Sequence, residues 1–446
     1  MPERDPATVD ARAVTALAEQ RLTWADKSIP PELWGQTVAE VAMRRVPLSR
    51  FPTPLLTLSA PDLRHNVDTL ATWCAERGLD LAPHGKTTMA PQLWADQIAA
   101  GAWAITVANL SQVAVARAFG VSRVLVANAV LSPTALDWIA GELADDVGLQ
   151  VITWVDDVRA VELMEQALAG SASTLGSRFR PMDVLVEVGG ASGRTGARDV
   201  ATGLAVARAI ATAPHLRLAG VAGYEGAIGN DSDEASLAAV RAYLAMMAET
   251  HRRMVANRTY PPGHVPIVSA GGSAYFDDVA EVLGPLNLDG VRVVLRSGAY
   301  LTHDDGHYRH LSPLGAEPRT TGRGLRSALH AWVQVSSQPE PGLALIDAGK
   351  RDLPFDLGLP EVQLRRPREA GRCPEAVAGA TVTALNDQHG FVRFDPATEP
   401  PVRIGDGLRL GVSHPCTAFD KWRLIPVIDD PDACDPVVVD LVRTFF

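Results

Sequence analysis

Eight short β-rich runs, each ending in Gly or polar residues, alternate with Ala-rich helical stretches between residues 79 and 296. The runs are Leu79–His84, Trp103–Ala108, Ser122–Asn128, Gln150–Val155, Asp183–Val188, Leu216–Tyr224, Val265–Ala270 and Val291–Arg296. Helical patterns fall between them at Met89–Ala100, Leu110–Phe119, Val158–Ala169, Asp199–Ala213 and Glu234–Asn257. Eight strands, each followed by a helix, over a little more than 200 residues is the count of a (β/α)8 barrel. An open doubly wound sheet gives the same alternation, and the two separate on where the chemistry sits.

Past residue 310 the pattern changes to strands without long helices: Ala328–Val335, Gly342–Asp347, Ala380–Leu385, Gly390–Phe394, Gly407–Ser413 and Val437–Leu441. This predicts a barrel over 51–310 and a C-terminal all-β domain over 320–446. The Pro/Gly-containing stretch Leu311–Pro318 lies at the boundary. Residues 1–50 form a helical extension, with helical pattern at Ala11–Arg21 and Pro31–Met43. Pro54–Leu58 reads as a strand leading into the helix Asp62–Arg77, and it need not belong to the barrel.

Asp and Glu outnumber Lys and Arg by 52 to 41, a net charge of -11, which argues against nucleic acid or an anionic membrane as the main partner. Cys74, Cys373, Cys416 and Cys434 are scattered without CxxC spacing and do not resemble a disulfide framework. The N-terminus lacks a basic-then-apolar leader, and no run of about 18 apolar residues occurs. The expectation is a soluble protein of the reducing cytoplasm.

Active sites of such barrels lie at the C-terminal strand ends, and a phosphate is often held by the loops after the seventh and eighth strands. The first strand leads into Pro83-His84-Gly85-Lys86-Thr87. A lysine partly desolvated there has a lowered pKa and is readied for a Schiff base with an aldehyde such as pyridoxal 5'-phosphate (PLP). After the seventh strand comes Ser269-Ala270-Gly271-Gly272-Ser273, and after the eighth Ser297-Gly298-Ala299-Tyr300. Gly272, Ser273, Gly298 and Tyr300 are therefore candidates for cofactor binding, glycines allowing backbone N–H groups to converge on an anion. Arg194, in the loop Gly189–Gly196, suits a phenolate or carboxylate oxygen. Tyr224, at the end of the sixth strand, could line a cofactor ring. His414 and Cys416, taken as strand positions i and i+2, would face one ion. Singly, each has a plainer reading: a surface lysine, an exposed arginine, a packing tyrosine, a structural cysteine beside a satisfied histidine.

Together, Pro54 onward through Pro83-His84-Gly85-Lys86-Thr87, Ser269–Ser273, Arg296–Tyr300, Asn386-Asp387-Gln388-His389-Gly390 and His414-Pro415-Cys416-Thr417 resemble the D-serine dehydratase-like/D-threonine aldolase family, whose members are often labelled amino acid deaminases. The resemblance implies a fold-type III PLP enzyme: an alanine-racemase-type barrel followed by a β domain. It implies that Lys86 carries PLP, that Gly272, Ser273 and Gly298 grip the phosphate, and that Arg194 and Tyr224 border the pyridine ring. It also implies that His414 and Cys416 hold a divalent metal, Zn2+ by their donor types, and act with Lys86 as catalytic residues. The lysine context departs from the Lys-Ala-Asp-Ala-Tyr form of alanine racemases, which disfavours racemization. Asp347-Ala348-Gly349-Lys350-Arg351-Asp352 departs from the Asp-Ala-Gly-Ser-Lys form of many aldolase-type members, which leaves the substrate open.

The implied reaction is dehydration and deamination of a D-serine-type β-hydroxy amino acid to a keto acid and ammonia, by a homodimer. The alternative is aldol cleavage to glycine and an aldehyde. Of other classes, a non-catalytic PLP-binding protein would be a single-domain chain, and a metal-dependent barrel hydrolase would need several His or Asp ligands at the strand tips.

Overall fold

A computed structural model describes residues 5–191, 193–368, 372–397 and 402–446. It divides into two compact units. One gathers the N-terminal segment to Asp10, Leu70–Lys86 and Trp94–Gly298; the other gathers Ala11–Thr69, Thr87–Leu93 and Ala299–Phe446.

The strand β1, Leu55–Ser59, belongs to the second unit. The first unit is built on β2 Asp80–Leu81, β3 Ile105–Val107, β4 Arg123–Val126, β5 Gln150–Val155, β6 Met182–Val188, β7 Leu216–Gly223, β8 Ile267–Ala270 and β9 Arg292–Leu295. All eight are parallel, in the order β2-β9-β8-β7-β6-β5-β4-β3. The ends close on each other. His84 and Thr106 form a parallel bridge, and the N–H groups of Trp103 and Thr106 donate to the carbonyls of Leu81 and Pro83 at 2.7 and 2.8 Å. Closure removes both sheet edges and excludes the doubly wound alternative. Ala82, Trp103, Leu125, Ile152, Trp154, Leu185, Ala219, Ile267 and Val294 pack together as a buried core. Such strands have no solvated face, which is why they read as apolar runs instead of alternating ones.

The second unit is built on β10 Leu329–Glu340, β11 Leu343–Ile346, β12 Glu361–Arg366, β13 Glu375–Ala376, β14 Thr381–Leu385, β15 Gly390–Arg393, β16 Gly407–Gly411, β17 Leu424–Ile428 and β18 Val438–Arg443. β1 runs antiparallel to β10, with Leu55 opposite Trp332, and parallel to β17. Leu22, Ile29, Leu33, Val38 and Val41 of the N-terminal extension share a buried cluster with Trp332, Leu424, Ile428, Val438 and Leu441. The extension is thus part of this unit's core. Its second helix, Val38–Arg44, opens on a capping box in which the Thr37 hydroxyl and Glu40 carboxylate accept each other's backbone N–H.

One expectation fails. Cys373 and Cys434 form a disulfide across 61 residues of sequence, while Cys74 and Cys416 remain thiols outside any disulfide. Linear spacing could not register this pair, because each cysteine sits in a loop brought to the other by tertiary folding. Cysteine spacing therefore gives no support for a reducing compartment. Among the described residues no helix is long and apolar enough to cross a membrane.

Candidate active site

In the barrel unit, Lys86 rides the one-turn 3-10 helix Gly85–Thr87 just past β2 and is half-buried. Gly85 makes the turn possible: a Cβ there would lie 2.7 Å from Ile105 Cγ2 and 2.9 Å from the Trp94 indole. His84, two residues before the lysine, has its ring Nδ1 sealed from solvent and unpartnered. Burial, and then the charges of Lys86, Arg296 and Arg194, push its pKa well below the usual histidine range, so it is neutral. The charges of three cations thus act on a neutral imidazole with an orphaned nitrogen. This suits an anionic group with hydrogen-bonding ring substituents, and in that sense the residues present fit PLP.

The charge is anchored from beneath. Arg296, 3% exposed at the end of β9, donates to Ser269 Oγ at 2.6 Å and the Gly223 carbonyl at 2.5 Å, tying β9 to β8 and β7. Burial lowers its pKa, against the opposing pull of Glu225. Glu225, fully buried, accepts from Gly271 N–H through Oε2 and from Gly272 N–H through Oε1, each at 2.7 Å. Gly271 holds φ +103°, and a Cβ on it would come within 2.2 Å of Leu295 Cδ1, so only glycine fits there.

The barrel residues singled out by sequence fall as follows. Tyr224 lies with ring Cε2 3.0 Å from where a Gly272 Cβ would be, and its backbone N–H donates to the Tyr243 hydroxyl, which donates to the Val188 carbonyl. Arg194 is exposed with its guanidinium carbon 4.8 Å from the Tyr224 ring centroid. The loop bearing it is pinned where Thr195 Oγ1 donates to Glu187 and Gly196 N–H to Asp156, at 2.7 and 2.8 Å. Its Ser192 lies outside the described residues. Ser273 and Gly298 are buried, and Ser297 Oγ donates to the Gly272 carbonyl at 2.5 Å, which couples the two small-residue loops. The charges of Lys86 and Arg194 both act on His84, and Arg194, Tyr224 and Gly272 are successive neighbours. Tyr300, 1% exposed, sits in the turn Ala299–Leu301, which belongs to the second unit.

The second unit places His414 and Cys416 beside each other by a route the sequence reading did not foresee. They are not strand positions: β16 ends at Gly411, and Cys416 opens a one-turn helix Cys416–Phe419 behind Pro415. Pro415 has no N–H to continue a ladder, so the chain turns. His414 Nδ1 is 2.7 Å from Asp356 Oδ2, Thr417 Oγ1 donates to Asp356 Oδ1 at 2.6 Å, and Thr87 Oγ1 lies 3.3 Å from Cys416 Sγ. Burial opposes protonation of His414, but the Cys416 sulfur and then the Asp356 carboxylate outweigh it and push the pKa up to about 9. Among the described residues no three His, Cys, Asp or Glu side chains gather to hold an ion. The chain offers two donors, imidazole and sulfur, with Asp356 on Nδ1 leaving Nε2 for a metal; this fits a site completed by water or substrate.

His84, Glu225, Arg296 and Asp356 were not singled out from sequence. The first three stand in or beside the quoted loops, yet nothing local marks them as buried. Asp356, 58 residues from His414, has no sequence signal at all.

Residues 58–293 match the family model described as alanine racemase, N-terminal domain, and residues 328–428 that of the putative serine dehydratase domain. The D-threonine aldolase of Arthrobacter sp is 28% identical over 385 residues, 86% of this chain and 91% of that protein. The D-threo-3-hydroxyaspartate dehydratase of Delftia sp. (strain HT23) is 27% identical over 385 residues, 83% and 92% of the two. A solved D-threonine aldolase from Filomicrobium marinum shares the fold, with a TM-score of 0.72 and 24% identity over 90% of this chain and 96% of that one. An alanine-racemase-like barrel with a C-terminal antiparallel β domain defines the fold-type III PLP enzymes. The chain belongs to the alanine racemase N-terminal domain family, and it is a PLP-dependent lyase.

Proposed function

We propose that the protein is a PLP- and divalent-metal-dependent lyase acting on D-β-hydroxy amino acids, and that its reaction is dehydration and deamination of a D-serine-type substrate to a keto acid and ammonia. The observation that carries the reading is the pairing of Cys416 with His414, whose ring is held by the Asp356 carboxylate, within the stretch matching the serine dehydratase model. PLP, when bound, supplies an anchor for the substrate amine and an electron sink for the bond broken at the α-carbon. Lys86 binds the cofactor and then takes the α-proton as general base. Arg194 and Tyr224 border the cofactor ring, and the small-residue loops carrying Gly272, Ser273 and Gly298 hold its phosphate. Tyr300 is a cofactor-binding residue in the same reading. His414 and Cys416 would hold the metal, zinc by donor type, whose chemistry is Lewis-acid polarisation of the β-hydroxyl. Homodimerisation belongs to the same reading; an active monomer by light scattering would remove it.

Aldol cleavage is the second reading, because the Arthrobacter relative and the 3-hydroxy-D-aspartate aldolase of Paracoccus denitrificans are both aldolases. One assay separates the two: incubate D- and L-serine and D- and L-threonine with enzyme, PLP and zinc, and measure keto acid plus ammonia against glycine plus aldehyde. Keto acid from the D-enantiomers alone is expected. Glycine as the main product installs the aldolase instead, and activity confined to L-substrates removes the assignment.

A further inference from the structure

The loop after β8 cannot present all its backbone donors to a ligand, because two are already taken. Both oxygens of Glu225 are filled, one by Gly271 N–H and one by Gly272 N–H. The carboxylate is fully buried, which pushes its pKa up, while the neighbouring Arg296 guanidinium and the two glycine N–H groups favour its charged form. A phosphate seated on the same two N–H groups would meet a second anion within a hydrogen-bond length, and in a low-dielectric interior that repulsion exceeds what two shared donors return. The other end of the Gly272 residue is fixed as well, since its carbonyl accepts from Ser297 Oγ. In a trans peptide the N–H of Ser273 points opposite to that carbonyl, so its direction is set by the same contacts.

Building on the reading of this loop as the phosphate loop, we infer that Glu225 is its positioning residue, and that phosphate donation begins at Ser273, with its N–H and hydroxyl, and excludes the Gly271 and Gly272 N–H groups. Gly271 and Gly272 then serve the close approach of Leu295 and of the Tyr224 ring, respectively. Glu225 acts through the loop and touches no reacting atom.

The test begins with borohydride reduction of the wild-type holoenzyme and peptide mapping. Failure to label Lys86 there removes the cofactor reading itself. With Lys86 labelled, PLP dissociation constants, the 31P resonance of bound PLP and the melting temperature of the PLP-free protein are measured for Glu225→Gln, Glu225→Asp and Ser273→Ala. Glu225→Gln sets an amide N–H against a backbone N–H. It should weaken PLP about tenfold or more, shift the 31P resonance and lower the PLP-free melting temperature. Glu225→Asp keeps the charge and should recover part of the affinity. Ser273→Ala should weaken PLP several-fold with the PLP-free melting temperature unchanged. Wild-type PLP affinity and 31P shift in Glu225→Gln would overturn the inference, as would Ser273→Ala indistinguishable from wild type. Should Glu225→Gln not fold, Glu225→Asp with an unchanged 31P resonance overturns it equally.

Discussion

Two buried carboxylates, one in each unit, solve the same desolvation problem in opposite ways. Glu225 in the barrel fills both oxygens with backbone N–H groups and has Arg296 nearby. Asp304 in the second unit crowds three backbone N–H groups, of Gly306, Tyr308 and Arg309, onto Oδ1 and leaves Oδ2 without a partner. Burial raises both pKa values, and Asp304 is pushed up to about 7. The difference shows in how each unit builds its chemistry. The barrel organises charge through main-chain groups at consecutive strand ends, so its site is a property of the fold. The second unit gathers His414, Asp356, Thr417 and Thr87 from separate stretches by side-chain contacts, so its site depends on individual residues.

The largest expected effect tests the barrel side. Lys86→Ala should remove covalent PLP and lower turnover by roughly 10^3-fold or more, with the melting temperature unchanged, because the fold-borne frame does not need the amine. Borohydride labelling of any other lysine would break the assignment.

On the other side, Cys416→Ala or chelation should reduce elimination strongly while PLP stays bound, since the metal serves the β-hydroxyl and not the cofactor. Asp356→Asn should weaken metal binding by about 10- to 100-fold through the orientation of His414. Metal content by atomic emission and PLP content by absorbance, measured on one sample, separate the two sites. A fully active, metal-free enzyme returns His414 and Cys416 to a structural role.

The same contrast explains what could be read in the sequence. The barrel was legible because each strand is buried on both faces and ends in small or polar residues, so Gln150–Val155 and Leu216–Gly223 are recognisable as strings. What the strings hid is which charges end up buried: Arg296 and Glu225 look like ordinary loop residues, and only packing against Gly223, Ser269 and Gly271 reveals them. In the second unit β12, β13 and β17 were missed. The strand rule also gave the wrong geometry for His414 and Cys416, because Pro415 turns the chain. The pairing of β1 with β10, 273 positions apart at Thr57 and His330, and the disulfide of Cys373 with Cys434 are long-range events that local pattern does not encode.

That disulfide gives the next prediction. Closing 61 residues of sequence restricts the unfolded chain by about 4 kcal/mol in the chain-entropy picture. Cys373→Ser should lower the calorimetric transition that contains the second unit by several degrees, and reductant should do the same to wild type but not to the variant. PLP binding to Lys86 should persist at temperatures below that transition. An unmoved transition would mean that the side-chain-built unit does not need its staple.

The smallest effect returns to the two carboxylates. A folded-state pKa raised from 3.8 to about 7 means that Asp304 keeps its proton in the native chain at pH values where the unfolded chain has lost it. Ionisation then favours unfolding, so this residue's contribution is fully present below pH 3.8 and is lost as pH rises towards 7. Asp304→Asn keeps an acceptor for the three N–H groups and cannot ionise. The variant should match wild type near pH 4 and exceed its stability by on the order of 4 kcal/mol near pH 8, read as the difference in denaturant midpoints at the two pH values. Glu225→Gln should show the reverse sense, destabilised at both pH values, because both carboxylate oxygens already serve backbone donors. Equal pH profiles for the two variants would erase the distinction between a carboxylate held by the barrel's main chain and one held with an oxygen to spare.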